Sequence, residues 1–198
     1  MLVLIDSGGA NIASVKFALE RLGVEGVLAA DPDKIARATH VILPGVGAAR
    51  DAMDKLQARE LVECIRGLSQ PTLGICLGMQ LLFSHSEEGD AAMLDIISGN
   101  VRHFKPEAEK TIPHMGWNNV RVEYEHPLFK DVPDDSYFYF VHSYFAPSGN
   151  YTLASCAYGS EVFSASIARD NFMGCQFHPE RSGAAGQQVL RNFLEMEI

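Results

Sequence analysis

The chain has 198 residues, 47% hydrophobic and 21% charged, which suits one domain with a substantial core. Its 16 basic against 25 acidic residues leave a formal charge of −9, which argues against nucleic acid and anionic membrane surfaces as partners. The four cysteines, Cys64, Cys76, Cys156 and Cys175, show no C-x-x-C spacing, so neither a metal site nor a disulfide framework is expected.

Residues 2–5 form a continuous apolar run, the pattern of a strand buried on both faces. That run is too short for a signal peptide, and no stretch approaches the roughly 20 apolar residues of a membrane span. The cytoplasm is therefore the expected compartment, where a reactive cysteine stays reduced. Ile12, Val15, Leu19 and Leu22 recur at helical spacing, and Gly23 closes that helix. Residues 24–29 read as a second strand and 40–43 as a third, stopped by Pro44-Gly45. Met53, Leu56, Leu61, Ile65 and Leu68 make a helical stripe broken near Arg59. A fourth strand, 73–75, ends at Cys76, and 77–83 is the helix behind it.

This alternation predicts an α/β fold with a mostly parallel central sheet and helices on both faces. Ligands in such sheets bind at the carboxyl ends of the strands. Cys76, the Pro44-Gly45-Val46-Gly47 loop and the Ser7-Gly8-Gly9 loop all follow strands and should share that edge. In the second half, 101–104, 136–141, 162–167 and 173–177 suggest shorter strands with hairpin-like turns, a smaller antiparallel part. Residues 105–110 read as an exposed loop and 184–195 as a final amphipathic helix. No repeat or linker divides residues 1–198, so a single domain is expected.

Cys76 stands in Gly74-Ile75-Cys76-Leu77-Gly78, a thiol framed by glycines between two apolar runs. This is the cysteine form of the strand-turn-helix nucleophile elbow, whose sharp turn leaves no room for neighbouring Cβ atoms. A thiol at a helix start also sits in a field that favours thiolate. The alternative is a buried structural cysteine, which the glycine frame disfavours. Phe177-His178-Pro179-Glu180 supplies a base and a carboxylate to orient it. The proline pushes His178 towards extended geometry, where residues 178 and 180 share a side. Alone, that string also suits a surface His and Glu at a strand end. Oxyanion donors are expected from the Leu77 amide and from the Val46 amide, with Gly47 next to it. The remaining histidines read singly as surface or core residues, but His142-Ser143-Tyr144 ends an aromatic strand with three polar side chains. Trp117, among Pro, Gly and Asn, reads as a loop aromatic that packs or meets a partner.

Together these strings resemble the class I, triad-type glutamine amidotransferases. Pro44-Gly45-Val46-Gly47, Cys76-Leu77-Gly78-Met79-Gln80, Pro113-His114-Met115-Gly116-Trp117-Asn118 and Phe140-Val141-His142-Ser143-Tyr144 are similar, more narrowly, to the glutaminase subunits of imidazole glycerol phosphate synthases. The resemblance covers nearly the whole chain. It implies a flavodoxin-like fold and hydrolysis of glutamine to glutamate and ammonia, with Cys76 as nucleophile, His178 as base and acid and Glu180 as its partner. It implies ammonia delivery to a (β/α)8-barrel cyclase subunit in a heterodimer. That subunit makes imidazole glycerol phosphate and an aminoimidazole carboxamide ribotide in histidine biosynthesis. Gln80, Glu88, His142, Ser143 and Tyr144 would hold glutamine, and Pro113, Met115, Trp117, Asn118, Arg181 and Asn11 would meet the partner. No metal or organic cofactor is implied. Two departures are the Asp6-Ser7-Gly8-Gly9-Ala10-Asn11 start, where members have Asp-Tyr-Gly-x-Gly-Asn, and Arg181 in place of Lys. Relatives feeding anthranilate, aminodeoxychorismate or purine synthesis usually carry His where this chain has Met79. A catalytically dead scaffold would have lost a triad residue, and a peptidase or esterase on the same fold is separated only by substrate. An unpartnered glutaminase would waste glutamine, so the Gly45-Val46-Gly47 loop is the expected place to gate an oxyanion donor.

Overall fold

Apolar runs with no polar alternation become strands covered on both sides. In the computed structural model, which describes residues 1–6, 12–108 and 110–197, the first half builds such strands in order. They are β1 (Leu2–Ile5), α1 (Ile12–Arg21), β2 (Gly26–Ala29), α2 (Pro32–Ala36), β3 (His40–Gly45), α3 (Ala49–Ala58), α4 (Leu61–Arg66) and β4 (Thr72–Cys76). Leu2 and Leu4 of β1 pack on the side that carries Val15 and Leu19 of α1. Val3 and Ile5 pack on the other, with Ile35, Met53, Leu56 and Ile65 of α2 to α4. The period of two in β1 thus divides two cores.

The rest of the chain is α5 (Leu77–Gln80), β5 (Phe83–Ser86), β6 (Ala91–Ala92), β7 (Ile97–His103), β8 (His114–Val122), β9 (Ser136–His142), β10 (Tyr144–Phe145), β11 (Thr152–Tyr158), β12 (Glu161–Arg169), β13 (Phe172–Cys175) and α6 (Gly183–Leu194). A nine-stranded sheet runs β2-β1-β3-β4-β13-β12-β11-β8-β9, parallel from β2 to β13 and antiparallel beyond. The expected class holds, and the antiparallel part continues the same sheet. A four-stranded sheet, β10-β7-β5-β6, lies beside it.

Several expectations shift. Strand β3 does not stop at Leu43 but continues through Pro44 and Gly45. The Val41 N–H bonds to Pro71 O on the β4 side, so by alternation residue 44 faces β1. Pairing with β1 ends at Ile42, so the missing proline N–H costs no ladder bond. The expected helix 77–83 is a single turn, because Phe83 is drawn into β5 by pairing with Ile97. The stripe does break near Arg59, where Glu60 takes a left-handed φ of 57°. Helix α2 was too short to show a stripe, although Asp31 caps Asp33 N–H and Pro32 starts it. Trp117 lies on β8, not on a loop. The Ser7-Gly8-Gly9 loop and Asn11 fall outside the described residues.

Candidate active site

Cys76 closes β4 with φ 54° and ψ −112°, a conformation that residues with a side chain rarely adopt. The strain is held by backbone crowding at its flanking glycines. A Cβ on Gly74 would lie 2.6 Å from the carbonyl of Gly78, and one on Gly78 would penetrate the Leu43 carbonyl oxygen. A Cβ on Gly45 would stand 2.5 Å from Gly78 N. Strands β3 and β4 and the turn of α5 therefore meet backbone to backbone, and the thiol is lifted out at their edge. With only four residues, α5 supplies little helix field, so activation of the thiol rests on its neighbours.

Those neighbours come from the segment after β13. The His178 N–H bonds to Tyr139 O at 2.9 Å, and Ser182 Oγ donates to His178 O at 2.6 Å while accepting from Tyr139 N–H. The extended pairing expected of residues 178 and 180 is replaced by a 3-10 turn, Pro179–Arg181, entered by extended His178. The turn still brings His178 Nδ1 within 2.8 Å of Glu180 Oε1. Both residues are buried. Burial drives the His178 pKa down, but hydrogen bonding to Cys76 and Glu180, reinforced by their charges, outweighs it and pushes the value up to about 10. The proton on Nδ1 faces Glu180, which leaves Nε2 for the thiol.

Cys76 and His178 open on a cavity of about 520 Å³. Its wall includes Val46, Gly47 and Leu77, the residues expected to donate to an oxyanion, and Gln80, Glu88, His142, Ser143 and Tyr144, expected to hold substrate. Pro113 and Arg181 also line it, whereas Glu180, Met115, Trp117 and Asn118 do not. The parallel register places Gly45 beside Cys76, so Val46 and Leu77 both leave their strands at this edge of the sheet. Glu88 accepts the Ala49 N–H at 2.8 Å, which ties it to the Gly45-Val46-Gly47 loop. Burial raises its pKa, partly offset by that hydrogen bond. The neighbouring Glu87 turns away to accept the His103 N–H at 2.7 Å.

Gln80 Nε2 donates to Tyr144 O and to Gln176 Oε1, each at 2.8 Å. Both of its amide hydrogens are engaged, so Oε1 is what Gln80 presents to a ligand. Gln176, fully buried, directs Nε2 at Cys76 Sγ at 3.8 Å. It was not among the expected site residues. It follows the end of β13 at a bend, and no local string signals its approach to a residue 100 positions away.

His142 sits in the wall with both ring nitrogens engaged by the protein. Nδ1 bonds to Tyr144 O at 2.8 Å and Nε2 meets His114 Nδ1 at 3.0 Å. Ser143 and Tyr144 are thus the residues of this segment left to meet a ligand. Burial lowers the His142 pKa to about 3 and that of His114 to about 4. The Tyr144 carbonyl opposes the first shift, while His114 and His178 add to it; the Lys110 charge adds to the second. Burial also lowers that of His126. All three lie below the ordinary imidazole value of about 6.5. Below pH 6.5 the unfolded chain therefore binds more protons than the folded one, and stability falls as pH falls. The urea midpoint should decline as pH rises above about 6.5, where the raised His178 pKa makes the folded chain the one that binds more protons, and should also drop as pH falls from about 6.5 to 5, above the ordinary carboxylate range. A flat midpoint across that window would contradict the buried neutral state of these rings.

Met115 and Trp117 point outward from β8 at 59% and 55% exposure, near Tyr137 at 61% on the paired strand. Arg181 lies over the Tyr139 ring at 5.6 Å, and Trp117 meets the same ring edge-on. Asn118, expected at the same surface, is anchored inward: its Nδ2 donates to Ala157 O at 2.9 Å and its Oδ1 accepts the Asn119 N–H.

The family model described as Glutamine amidotransferase class-I matches residues 3–196. The "Imidazole glycerol phosphate synthase subunit HisH" of Vibrio cholerae is 49% identical over 200 residues, covering 98% of this chain and 98% of that one. The protein of the same name from Colwellia psychrerythraea is 47% identical over 210 residues, covering 98% and 92%. Among solved structures, a glutamine amidotransferase superposes with a TM-score of 0.74 at 18% identity over 98% of this chain and 97% of that one. PurLQS from Thermotoga maritima superposes with a TM-score of 0.70 at 19% identity, covering 98% and 96%. These last two are likenesses of fold alone.

Proposed function

The chain belongs to the class I glutamine amidotransferases, and from that premise we propose that Cys76, His178 and Glu180 hydrolyse glutamine in the manner of a HisH subunit of imidazole glycerol phosphate synthase. The observation that carries the reading is the buried His178–Glu180 contact of 2.8 Å beside a cysteine held in a strained elbow at the cavity wall.

Attack by the Cys76 thiolate on the carboxamide carbon opens the C=O bond and places negative charge on its oxygen. The Leu77 amide and the amide of Val46 or Gly47 receive that charge. His178 gives its Nε2 proton to the leaving nitrogen, the C–N bond breaks, and ammonia departs from a thioester. The same imidazole then takes a proton from water, whose oxygen attacks the thioester; the C–S bond breaks, releasing glutamate and restoring the thiolate. Glu180 holds the ring with Nδ1–H towards itself and stabilises the imidazolium. Gln80 Oε1 and Glu88 are acceptors for the α-ammonium of glutamine, with Ser143 and Tyr144 closing the amino-acid end.

The ammonia passes to a (β/α)8-barrel cyclase subunit in a heterodimer. Met115, Trp117 and the Tyr139–Arg181 pair form an exposed surface next to the cavity, with Pro113 at the transition between them. Aromatic and Arg side chains of this kind are enriched at interface cores. The whole chain acts as one unit. Among the described residues no helix is long and apolar enough to cross a membrane. All four cysteines are free, and we place the reaction in the reducing cytoplasm.

Gly47 holds φ 96° and a Cβ there would meet nothing within 4 Å, so a glycine hinge adjoins the peptide that would gate an oxyanion donor. A single oxyanion donor is worth about 10²–10³ in rate. Glutamate release should therefore rise by about that factor when the cyclase subunit and its nucleotide substrate are added. Equal rates with and without them would remove the gating role from this loop.

A further inference from the structure

A directed line of hydrogen bonds enters the pocket from β8. Asn118 Nδ2 faces His114 Nε2 at 3.3 Å, His114 Nδ1 faces His142 Nε2 at 3.0 Å, and His142 Nδ1 faces Tyr144 O at 2.8 Å. The direction is fixed from both ends. Tyr144 O only accepts, so His142 carries its proton on Nδ1 and its Nε2 accepts; His114 must then donate from Nδ1 and accept at Nε2. From the other end, Asn118 accepts the Asn119 N–H through Oδ1 and donates to Ala157 O through Nδ2, so only its N–H is turned to His114. The two ends demand the same tautomers. Stacking reinforces the geometry, because the His114 ring lies between Tyr158 at 4.0 Å and Phe140 at 4.9 Å.

The line continues beyond Tyr144 O, which also accepts from Gln80 Nε2; Gln80 bonds to Gln176, and Gln176 reaches Cys76 Sγ. We infer that His114 is a positioning residue for the glutamine site. By fixing the tautomer and plane of His142 it holds the Tyr144 carbonyl, and through that carbonyl it sets Gln80 and Gln176 against the nucleophile. The inference rests on the glutaminase reading and adds a residue that touches neither substrate nor the triad.

A charge on either imidazole would turn an N–H towards an N–H, so the line carries order only while both rings are neutral. The groups facing them are His178, Tyr144 and Asn118, with Lys110 near His114 and the aromatic rings of Phe104, Phe140, Tyr158 and Phe163.

The test has two arms on the full chain. Imidazole ¹⁵N spectra at pH 7 should show the Nδ1–H tautomer for both His114 and His142; the Nε2–H tautomer or an imidazolium at either would overturn the inference. The second arm compares inactivation by an electrophilic diazoketone analogue of glutamine with alkylation by iodoacetamide. His114→Phe keeps the ring stack and loses the donor. It should lower the second-order rate with the analogue by about 10-fold or more, and change the iodoacetamide rate by less than about 2-fold, because only oriented attack needs the pocket polar groups in place. His114→Asn, which keeps an N–H towards His142, should return the analogue rate to within about 3-fold of wild type. A folded His114→Phe protein that reacts with the analogue like wild type would overturn the inference. Failure of the analogue to label wild-type Cys76 would instead overturn the glutaminase reading, while the spectra still decide the tautomers.

Discussion

Replacing Cys76 with alanine is expected to lower glutamine hydrolysis by about 10⁴-fold or more, with the fold intact. The size follows from the chemistry: without the thiolate no thioester forms, and the remaining donors can only bind glutamine and polarise its carbonyl. His178 loses the partner that helps hold its proton, so its pKa should fall from about 10 towards the ordinary imidazole range. The substitution removes a single sulfur from a buried position where the core meets the cavity wall, so only a small loss of stability is expected. Glutamate release, the thermal midpoint and the His178 titration followed by NMR check the three statements. Rapid turnover by Cys76→Ala would move the nucleophile elsewhere.

Gly78→Ala should have the largest effect on stability of any alanine replacement among the described glycines. Its Cβ would enter the Leu43 carbonyl oxygen, and both partners are backbone, so no side chain can swing aside. Overpacking of this kind costs about 3 kcal/mol or more. For a chain of this size that lowers the thermal midpoint by roughly 6–12 °C. The displacement reaches catalysis as well, because Gly78 follows Leu77 and Cys76. A shift near 1 Å at those atoms costs about 10²-fold in kcat. Gly23→Ala is the control: φ is +76° but nothing lies within 4 Å, so only the left-handed backbone is strained, at about 1 kcal/mol. Similar midpoints for the two variants would show that the elbow tolerates separation of β3 from α5.

The parallel half was legible because strands buried on both faces announce themselves as unbroken apolar runs, as in β1 and β3. The triad was legible because each of its parts sits in a short string with a backbone reason: glycines around Cys76, proline after His178. Strand β8 was not. Its outward positions, Met115 and Trp117, are the apolar ones, and its inward ones include His114 and Asn118, so the usual alternation is inverted. Helix α5 was overextended because the apolar run from Leu77 to Phe83 continues while the backbone turns into β5. Among site residues, Gln176 and His114 escaped because their roles are relations between distant segments. Gln176 lies 100 residues from Cys76, and His114 lies 28 from His142. No local string encodes either contact. The family resemblance implies that His142 holds substrate; its partners in three dimensions bind both ring nitrogens.

Glutamine nitrogen released at Cys76 is expected to be used by a cyclase subunit. The most direct test supplies the assembled heterodimer with glutamine labelled by ¹⁵N in the carboxamide, in the presence of excess unlabelled ammonium, and locates the label. ¹⁵N is expected in imidazole glycerol phosphate with the wild-type chain, and only unlabelled product with Cys76→Ala. Label confined to free ammonium with the wild-type chain, or incorporated equally with Cys76→Ala, would contradict it.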